Sequence, residues 1–157
     1  MKKIPLTQGQ CALVDDADYE WLSAHKWLAR RRRVRFFYAA RQIPTATGQK
    51  LVYMHRVMVP GVRQLDHANR DTLDNRRQNL RPATHSQNAA NTWRRRSNTS
   101  GFKGVSWKKD LGKWVAQIQE GQHNHYLGLF LDAKEAAGAY DAAARKYFGE
   151  FACLNFP

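Results

Sequence analysis

Four polar side chains in the middle of the chain have the types and spacing that metal-assisted hydrolysis needs. Asp66 and His67 are adjacent, and Asn79 and Asn88 follow at intervals of twelve and nine residues. A carboxylate and an amide oxygen are ligands for a hard cation such as Mg²⁺. An imidazole beside that ion takes a proton from an attacking water, since its unperturbed pKa is about 6.5. An isolated Asp-His pair is more often a surface hydrogen bond, but the two asparagines and the basic surroundings favour phosphodiester hydrolysis.

Two strands followed by a helix are the elements that would hold these side chains. The apolar segment at residues 51–59 predicts a strand that contains His55 and stops at Pro60-Gly61. Thr84-x-x-Gln87 is a capping-box pattern and predicts a helix over residues 84–91. His55 is interpreted as a partly buried structural residue, with bracing of the site or phosphate binding as the alternatives.

The residues around this site form a long ordered motif, Asp66-His67-Ala68-Asn69-Arg70-Asp71-Thr72-Leu73-Asp74-Asn75-Arg76-Arg77-Gln78-Asn79-Leu80-Arg81, followed by Asn88. The motif resembles the HNH endonuclease family, which has a ββα-metal site and includes homing enzymes of phages and mobile introns. The resemblance implies that His67 is the general base and that Asn79 holds its imidazole. It also implies that Asp66 and Asn88 bind one divalent ion, Mg²⁺ or alternatively Mn²⁺. Because Asn88 stands where the family name calls for histidine, the motif is a His-Asn-Asn variant.

The last third of the chain has a different pattern. Segments 102–108, 113–119 and 125–131 predict three strands, with turns at Gly112 and Gly121. Asp132 then opens a predicted helix that ends at Gly149. Its apolar stripe, spaced by four and three residues, is typical of a buried helix face; it consists of Ala133, Ala137, Tyr140, Ala144 and Tyr147.

Within residues 101–157, the motifs Phe102-Lys103-Gly104-Val105-Ser106-Trp107, Gly112-Lys113-Trp114-Val115-Ala116-Gln117-Ile118 and Leu154-Asn155-Phe156-Pro157 resemble the APETALA2/ethylene-response-factor (AP2/ERF) DNA-binding domain. The resemblance implies a three-stranded antiparallel sheet that enters the DNA major groove and is backed by one helix. Gln117 and Gln119 stand where plant members carry Arg or Glu. Glutamine pairs with adenine and arginine with guanine, so the plant target sequence is not carried over.

Charge and composition point to a nucleic-acid partner. The chain has 26 Lys and Arg against 13 Asp and Glu, a net charge of +13, which is typical of proteins that bind a polyanion. Residues 101–157 contribute only seven basic and six acidic residues. No apolar run reaches the ~18 residues of a membrane span, and we expect a cytoplasmic, intracellular protein without a membrane partner. Cys11 and Cys153 are far apart, so no structural zinc is expected.

Together these patterns predict an α+β protein of two modules. Residues 1–93 form an HNH module, with a basic β-rich part at 1–50 and a ββα-metal core at about 51–92. Residues 94–100 form a basic linker, and residues 101–157 form the AP2-like domain, a three-stranded antiparallel sheet on one helix. The side chains predicted to contact DNA are Arg76, Arg77, Arg94, Arg95, Arg96, Lys103, Ser106, Trp107, Lys108, Lys109, Lys113, Trp114, Gln117, Gln119 and Tyr126.

The predicted function is a metal-dependent endonuclease that cuts double-stranded DNA, by a nick or a break, with the monomer as the favoured state. Two other classes stay open. One is a DNA-binding regulator whose HNH module is catalytically inactive. The other is a basic protein that binds RNA or the ribosome, for which the positive charge alone would be equally good support.

Overall fold

The computed structural model describes residues 1–33 and 36–157. It divides the chain into two compact units, Met1–Ala83 and Thr84–Pro157. This division comes ten residues before the predicted border at residue 93. The physical reason lies in the helix after Thr84, which contacts elements of the second unit; at its end, the carbonyl of Ala90 accepts a hydrogen bond from the N–H of Cys153 over 3.3 Å.

In the described part of the first unit, residues 1–33 and 36–83, there are three small antiparallel sheets and two short α-helices. Strands β1 (Lys2–Pro5) and β2 (Cys11–Val14) pair, and helix α1 (Asp16–Ser23) follows them. Strands β3 (Leu28–Arg33), β4 (Phe36–Thr45) and β5 (Gly48–Tyr53) form a sheet in that order. Helix α2 (Met54–Met58) follows, and β6 (Leu65–His67) pairs with β7 (Leu80–Pro82). The sequence predicts a basic turn at Arg30–Arg33 between two strands, and this prediction is wrong in position because those residues belong to β3. Residues 34–35 lie outside the described residues.

The predicted strand at residues 51–59 is wrong in its second half. Strand β5 ends at Tyr53, and the chain turns into α2, where Met54, His55 and Met58 are buried. A short apolar run fits a strand and a buried helical segment equally well, so its periodicity does not separate the two. Packing decides here, because both methionines belong to the core of the unit, together with Val14, Leu22 and Trp27.

The second unit contains two helices and one sheet. Helix α3 (His85–Ala90) comes first, and the capping box predicted at Thr84 and Gln87 is confirmed in both directions. Strands β8 (Val105–Lys108), β9 (Lys113–Glu120) and β10 (His123–Phe130) form an antiparallel sheet in the order β10-β9-β8. Helix α4 (Ala133–Phe148) packs on this sheet. The arrangement confirms the predicted three-stranded sheet with one helix.

Helix α4 owes its position to a face of small side chains. Ala136, Ala137, Tyr140 and Ala144 are buried, and Gly149 ends the helix with φ of 51°. Most of the predicted stripe is confirmed, whereas its two end members, Ala133 and Tyr147, are only half-buried. Because alanine side chains are small, the helix approaches the strands closely, and Ala136 and Ala137 pack with Val105 and Ala116 of the sheet. Among the described residues no helix is long and apolar enough to cross a membrane.

Candidate nucleic-acid interface

Strand β9 has two chemically different faces because side chains alternate across a sheet. Ala116 and Ile118 are buried, and Ala116 packs in one cluster with Ala136 of α4. Gln117 and Gln119 lie between and beyond them and are exposed. The sheet therefore has one face on α4 and a second face directed away from α4, which we call the open face.

The strand register defines the open face residue by residue. Residues paired directly across an antiparallel sheet project from the same face, so the partners of Lys113, Val115, Gln117 and Gln119 on β8 and β10 belong to it. The open face consists of Ser106, Lys108, Lys113, Val115, Gln117, Gln119, Asn124, Tyr126 and Leu129. Six of these nine were among the predicted DNA contacts. Alternation along the strands was the signal for Val115 and Asn124, whereas Leu129 lies on this face because of a β-bulge between Tyr126 and Gly128, which alternation does not reveal.

Three amide side chains on this face, Gln117, Gln119 and Asn124, form what we call the amide patch. Nδ2 of Asn124 donates to Oε1 of Gln117 over 3.3 Å. Nε2 of Gln119 donates to the carbonyl oxygen of Gly121 over 3.2 Å. Because a primary amide has two donor hydrogens and two acceptor lone pairs, each of the three keeps capacity for a ligand. The internal bonds orient the amides and do not saturate them.

Trp107 and Trp114 lie on the other face, which packs on α4. They pair across β8 and β9, and their rings meet edge to face at 4.9 Å. Trp114 packs against the core, while Trp107 is 47 % exposed at the end of the sheet. The structure thus gives Trp114 the role of a core anchor. Contact of either indole with DNA stays a prediction.

Lys103 is engaged inside the second unit. Its Nζ donates to the carbonyl oxygens of Ala90 and Thr92. An ammonium group at the last carbonyls of a helix is favourable because those groups have no partner within the helix. Lys103 therefore ties the end of α3 to the start of the sheet, and the DNA contact predicted for it stays a prediction.

Gly104 allows the sheet and helix to approach closely just before β8. Its φ is 75°, and a Cβ built there would lie 1.9 Å from Cδ2 of Tyr140 and 2.8 Å from the carbonyl oxygen of Gln117. Only glycine combines a positive φ with this lack of space. The carbonyl of Gly104 in turn accepts the N–H of Gln117 over 2.9 Å, so this glycine helps to position the amide patch.

A buried carboxylate holds the end of the chain against the unit. Asp141 is 2 % exposed and accepts the N–H groups of Asn155 and Phe156, both over 2.8 Å. The side chain of Asn155 accepts the N–H of Lys103 over 2.7 Å and donates to its carbonyl over 3.1 Å. These bonds fix the segment that enters β8 and hence the start of the open face.

Four further basic residues of the predicted interface are exposed in the second unit. Arg94, Arg95 and Arg96 follow α3, and Lys109 lies in the turn between β8 and β9. This turn adjoins Lys108 and Lys113, which pair across the two strands. The three lysines therefore form a positive end of the open face.

In the first unit, Asp66 is buried and paired with arginine. It is 4 % exposed and lies on β6 opposite Arg81 of β7. Nε of Arg81 donates to Oδ2 of Asp66 over 3.0 Å, and Nη2 is 2.9 Å from the same oxygen. A guanidinium occupies one side of the carboxylate that was predicted to bind a metal ion.

His67 is also buried, and its neighbour is Asn75. Burial lowers the pKa of His67, while a hydrogen bond with Asn75 and the nearby carboxylate of Asp66 act in the opposite direction. Asn75 itself is 1 % exposed. It was part of the quoted motif but received no predicted role; its complete burial is a property that only the fold reveals.

Asn79 is bonded to the loop that precedes it. Its Oδ1 accepts the N–H of Asn69 over 2.9 Å, and its Nδ2 donates to the carbonyl of Asp74 over 2.7 Å. The resemblance implied that Asn79 holds the imidazole of His67. In the structure Asn79 braces the loop, and Asn75 forms a hydrogen bond with the imidazole. The role of Asn79 toward His67 stays a prediction.

His55 and His67 face each other among aromatic rings. Their ring centroids are 5.2 Å apart, and the ring of Tyr53 stacks on His55 at 5.7 Å. Burial lowers the pKa of His55 to about 3, assisted by the charges of His67, Arg56 and Arg32. His55 is thus a neutral buried residue near neutral pH, in agreement with the structural interpretation of the sequence.

Two arginines predicted to contact DNA form bidentate ion pairs within the first unit. Arg76 binds Asp74 through Nε over 2.8 Å and Nη2 over 2.6 Å. Arg77 binds Asp18 through Nε and Nη2, both over 2.7 Å. These guanidinium groups lower the pKa of both carboxyl groups. The pairs neutralise buried carboxylates, so both arginines have a structural role besides the predicted one.

The residues predicted to bind the divalent ion lie in different units. Asp66 is in the first, and Asn88 is in α3 of the second. Within residues 1–33 and 36–157, no cluster of three or more His, Cys, Asp or Glu side chains is arranged for a metal ion. The pairing of Asp66 with Arg81 weighs against a cation at this carboxylate, and the Mg²⁺ or Mn²⁺ ion stays a prediction.

Curated plant proteins are similar to part of this chain. Ethylene-responsive transcription factor ERF084 of Arabidopsis thaliana is 50 % identical over 60 residues, which cover 37 % of the chain and 23 % of the relative. Dehydration-responsive element-binding protein 2A of the same plant is 48 % identical over 58 residues, or 36 % and 17 %. No family model matches the chain.

A third relative names the domain. The AP2/ERF and B3 domain-containing transcription repressor TEM1 of Arabidopsis thaliana is 39 % identical over 71 residues, 45 % of the chain and 19 % of the relative. About 60 residues of this chain are similar to AP2/ERF proteins. This similarity supports the AP2/ERF resemblance of the C-terminal part. The chain spans less than a quarter of the length of these relatives.

The prediction of an enzyme is wrong. The relatives are named as transcription factors and as responsive element-binding proteins, and none of these names is that of an endonuclease. Nothing in the comparisons supports the HNH resemblance of the first module. The bonds of Asp66, Asn79 and Arg77 agree with this correction, because they brace the first unit from within.

Proposed function

We propose that this protein is a DNA-binding regulator that holds duplex DNA against the open face of its second unit. The observation that carries the proposal is the open face itself, a row of exposed polar and basic side chains on a sheet backed by α4, in a chain similar to AP2/ERF proteins. Because relatives of this chain are named as a transcription factor and as a transcription repressor, the regulation we propose is that of transcription.

Lysines at one end of the open face would contact phosphate. Lys108 and Lys113 are exposed register partners, and Lys109 adjoins them. Phosphate contacts position a protein on the duplex, whereas base contacts select the sequence. The amide patch is the part of the face with the donors and acceptors for bases, and Arg94, Arg95 and Arg96 add positive charge beside α3.

The first unit would add affinity without selecting sequence. Residues 1–83 contain sixteen basic and seven acidic residues. Such a charge excess attracts any phosphate backbone, and the attraction falls as counterions compete at higher salt. Because Arg76, Arg77 and Arg81 are paired with Asp74, Asp18 and Asp66, the other basic residues of this unit supply most of its positive charge excess.

Fluorescence anisotropy with a labelled duplex tests the proposal on the full chain. The test variant is Lys108→Gln with Lys113→Gln, and the matched control is Lys134→Gln with Lys146→Gln, which removes the same charge from exposed positions on α4. Each lost phosphate contact lowers the salt slope of the logarithm of affinity by about 0.9. The test variant removes two such contacts, so we expect its salt slope to be smaller in magnitude by about 1.8. The control should have the same slope as the wild type.

Three outcomes would contradict the proposal. They are no binding to duplex DNA, an equal loss of affinity in test and control variants, and a preference for structured RNA in competition, which would favour the RNA-binding alternative. The regulatory part has a separate readout. A promoter that carries a bound site should change its transcript level with the wild-type protein and not with the lysine variant.

A further inference from the structure

The open face has an internal order that the proposed function does not use. Lys108 and Lys113 lie at one end. Next comes an apolar pair, Val115 of β9 and Leu129 of β10, which are register partners. The amide patch and Tyr126 follow toward the hairpin of β9 and β10. Charge, apolar groups and amides therefore occupy successive levels along the strands.

The amide patch has the chemistry of an adenine reader. In the major groove adenine presents N7 as an acceptor and its N6 amino group as a donor, and a glutamine or asparagine amide matches both at once. The bond from Asn124 to Oε1 of Gln117 fixes which end of the Gln117 amide is the oxygen. Nε2 of Gln117 is then the donor for N7, and its oxygen has a second lone pair for N6.

The apolar level has the chemistry of a thymine reader. Leu129 is 38 % exposed and Val115 half-buried beside it. The thymine methyl group is the one apolar group that base pairs present in the major groove, and apolar side chains select it by contact. Tyr126, 64 % exposed in the next level, extends this surface.

Readers of G·C pairs are missing from the middle of this face. Bidentate guanine recognition takes an arginine or lysine, and cytosine recognition takes a carboxylate. Among the open-face residues of the described strands no Arg, Asp or Glu occurs, and both lysines lie at the end that adjoins the β8–β9 turn. A lysine in that place is suited to phosphate.

We infer that the open face reads A·T base pairs in the major groove through Gln117, with Val115 and Leu129 contacting thymine methyl groups. This inference rests on the proposed function. The dimensions agree, because three strands span about 10 Å and the groove is about 12 Å wide. The relatives' own target sequences play no part in it.

Selection from random duplexes with the full chain tests the inference. The wild type should enrich sites with A·T pairs at the central positions. Gln117→Ala should lose the adenine preference at one position, by about 10- to 100-fold in the affinity ratio of matched and mismatched sites. Gln117→Arg should change that position to guanine, whereas Ala142→Arg, which adds the same charge at an exposed position of α4, should keep adenine.

A second readout separates the two grooves. Replacing thymine by deoxyuridine removes only a major-groove methyl group, and we expect a loss of about 4-fold in affinity per contacted methyl. In Leu129→Ala the thymine and deoxyuridine duplexes should bind equally at the contacted position.

The outcomes distinguish this inference from the proposed function. Enrichment of G·C sites, absence of any enrichment, or equal binding of thymine and deoxyuridine sites by the wild type would overturn the inference while duplex binding itself stands. Failure to bind any duplex would overturn both.

Discussion

Acidification should destabilise the first unit through His55. This residue is 8 % exposed, and its ring is enclosed by Tyr38, Tyr53 and His67. Burial, together with the positive charge of Arg56 and its neighbours, lowers the pKa of His55 to about 3. In the unfolded chain the same imidazole titrates near 6.5. Below that pH the unfolded chain takes up a proton that the folded unit does not accept.

The sign and size of the effect follow from this difference. A histidine whose folded pKa lies below its unfolded value contributes full stability above pH 6.5, and that contribution falls as the pH drops toward 3. Between pH 7.5 and pH 4.5 the loss is about 2–3 kcal/mol of unfolding free energy. His67 acts in the same direction because burial lowers its pKa too. Carboxylates with ordinary pKa values of about 3.9 and 4.3 begin to titrate near pH 4.5, so the effect of His55 is read from the difference between the wild type and a variant without this imidazole.

Urea unfolding of the full chain, followed by NMR resonances of residues 1–33 and 36–83, measures this loss. His55→Phe keeps an aromatic ring against Tyr53 and removes the titrating group, so its unfolding free energy should fall by about 2–3 kcal/mol less than that of the wild type between the two pH values. His25→Gln, at an exposed position, should behave like the wild type. An equal pH dependence in His55→Phe and the wild type would refute the reasoning.

Three further changes test the scaffold. Gly104→Ala should destabilise the second unit by about 3–5 kcal/mol, because φ is positive and the added Cβ overlaps a tyrosine ring, and it should speed hydrogen exchange in β9. The control Gly101→Ala has a similar φ of 81° but open space and should cost about 1–2 kcal/mol. Equal losses of stability in the two variants would contradict the packing argument. Asp141→Ala should cost about 3 kcal/mol and release the C-terminal residues to carboxypeptidase; protection unchanged from the wild type would show that the carboxylate does not hold them. Arg77→Ala should lower the stability of the first unit by about 1–2 kcal/mol in thermal unfolding, because it leaves the buried Asp18 carboxylate without its ion pair. Arg77→Lys should restore only part of that stability, since lysine cannot form the bidentate pair. Full restoration by lysine would contradict the role of the bidentate geometry.

Local signals were sufficient for most of the second unit. The capping box at Thr84 and Gln87 satisfies backbone groups within four residues, so it forms wherever the pattern occurs at a helix start. The stripe around Ala137 and Tyr140 marks a buried helix face because its period is that of the helix. A strand of eight residues, such as β9, can be predicted because its polar and apolar side chains alternate with the two-residue period of a strand.

The first unit was harder to predict because its elements are short. Strands β6 and β7 have three residues each, which is too few for a period to be recognised. The helix at Met54 begins in the middle of an apolar run, and core packing rather than periodicity selects it. The border between the units also depended on contacts, since α3 joins the second unit through Ala90 and Lys103.

The candidate interface also has some features that the sequence predicted and others that depend on the fold. The AP2/ERF resemblance predicted Gln117, Gln119 and Tyr126 as DNA contacts, and the strand register places all three on the open face. Their contact with DNA stays a prediction. Which face of the sheet Trp107 and Trp114 occupy is decided by the pairing register and by the packing of α4. The enzyme prediction rested on residue types that are compatible with catalysis, and relatives named as transcription factors and as responsive element-binding proteins contradict it. That Arg81 pairs with Asp66 and that Asn79 braces a loop is visible only in the fold.

By itself, the sequence determined the properties that reside in composition and in short-range order: a net charge of +13, the helix ends, the strand polarity and the similarity of about 60 residues to AP2/ERF proteins. The tertiary structure decided the properties that depend on neighbours distant in the chain. Arg77 and Asp18 are 59 residues apart, and their ion pair gives a predicted DNA contact a structural role as well. How much charge and hydrogen-bonding capacity a side chain keeps for DNA depends on which distant residues folding packs against it, and residue type alone does not set that.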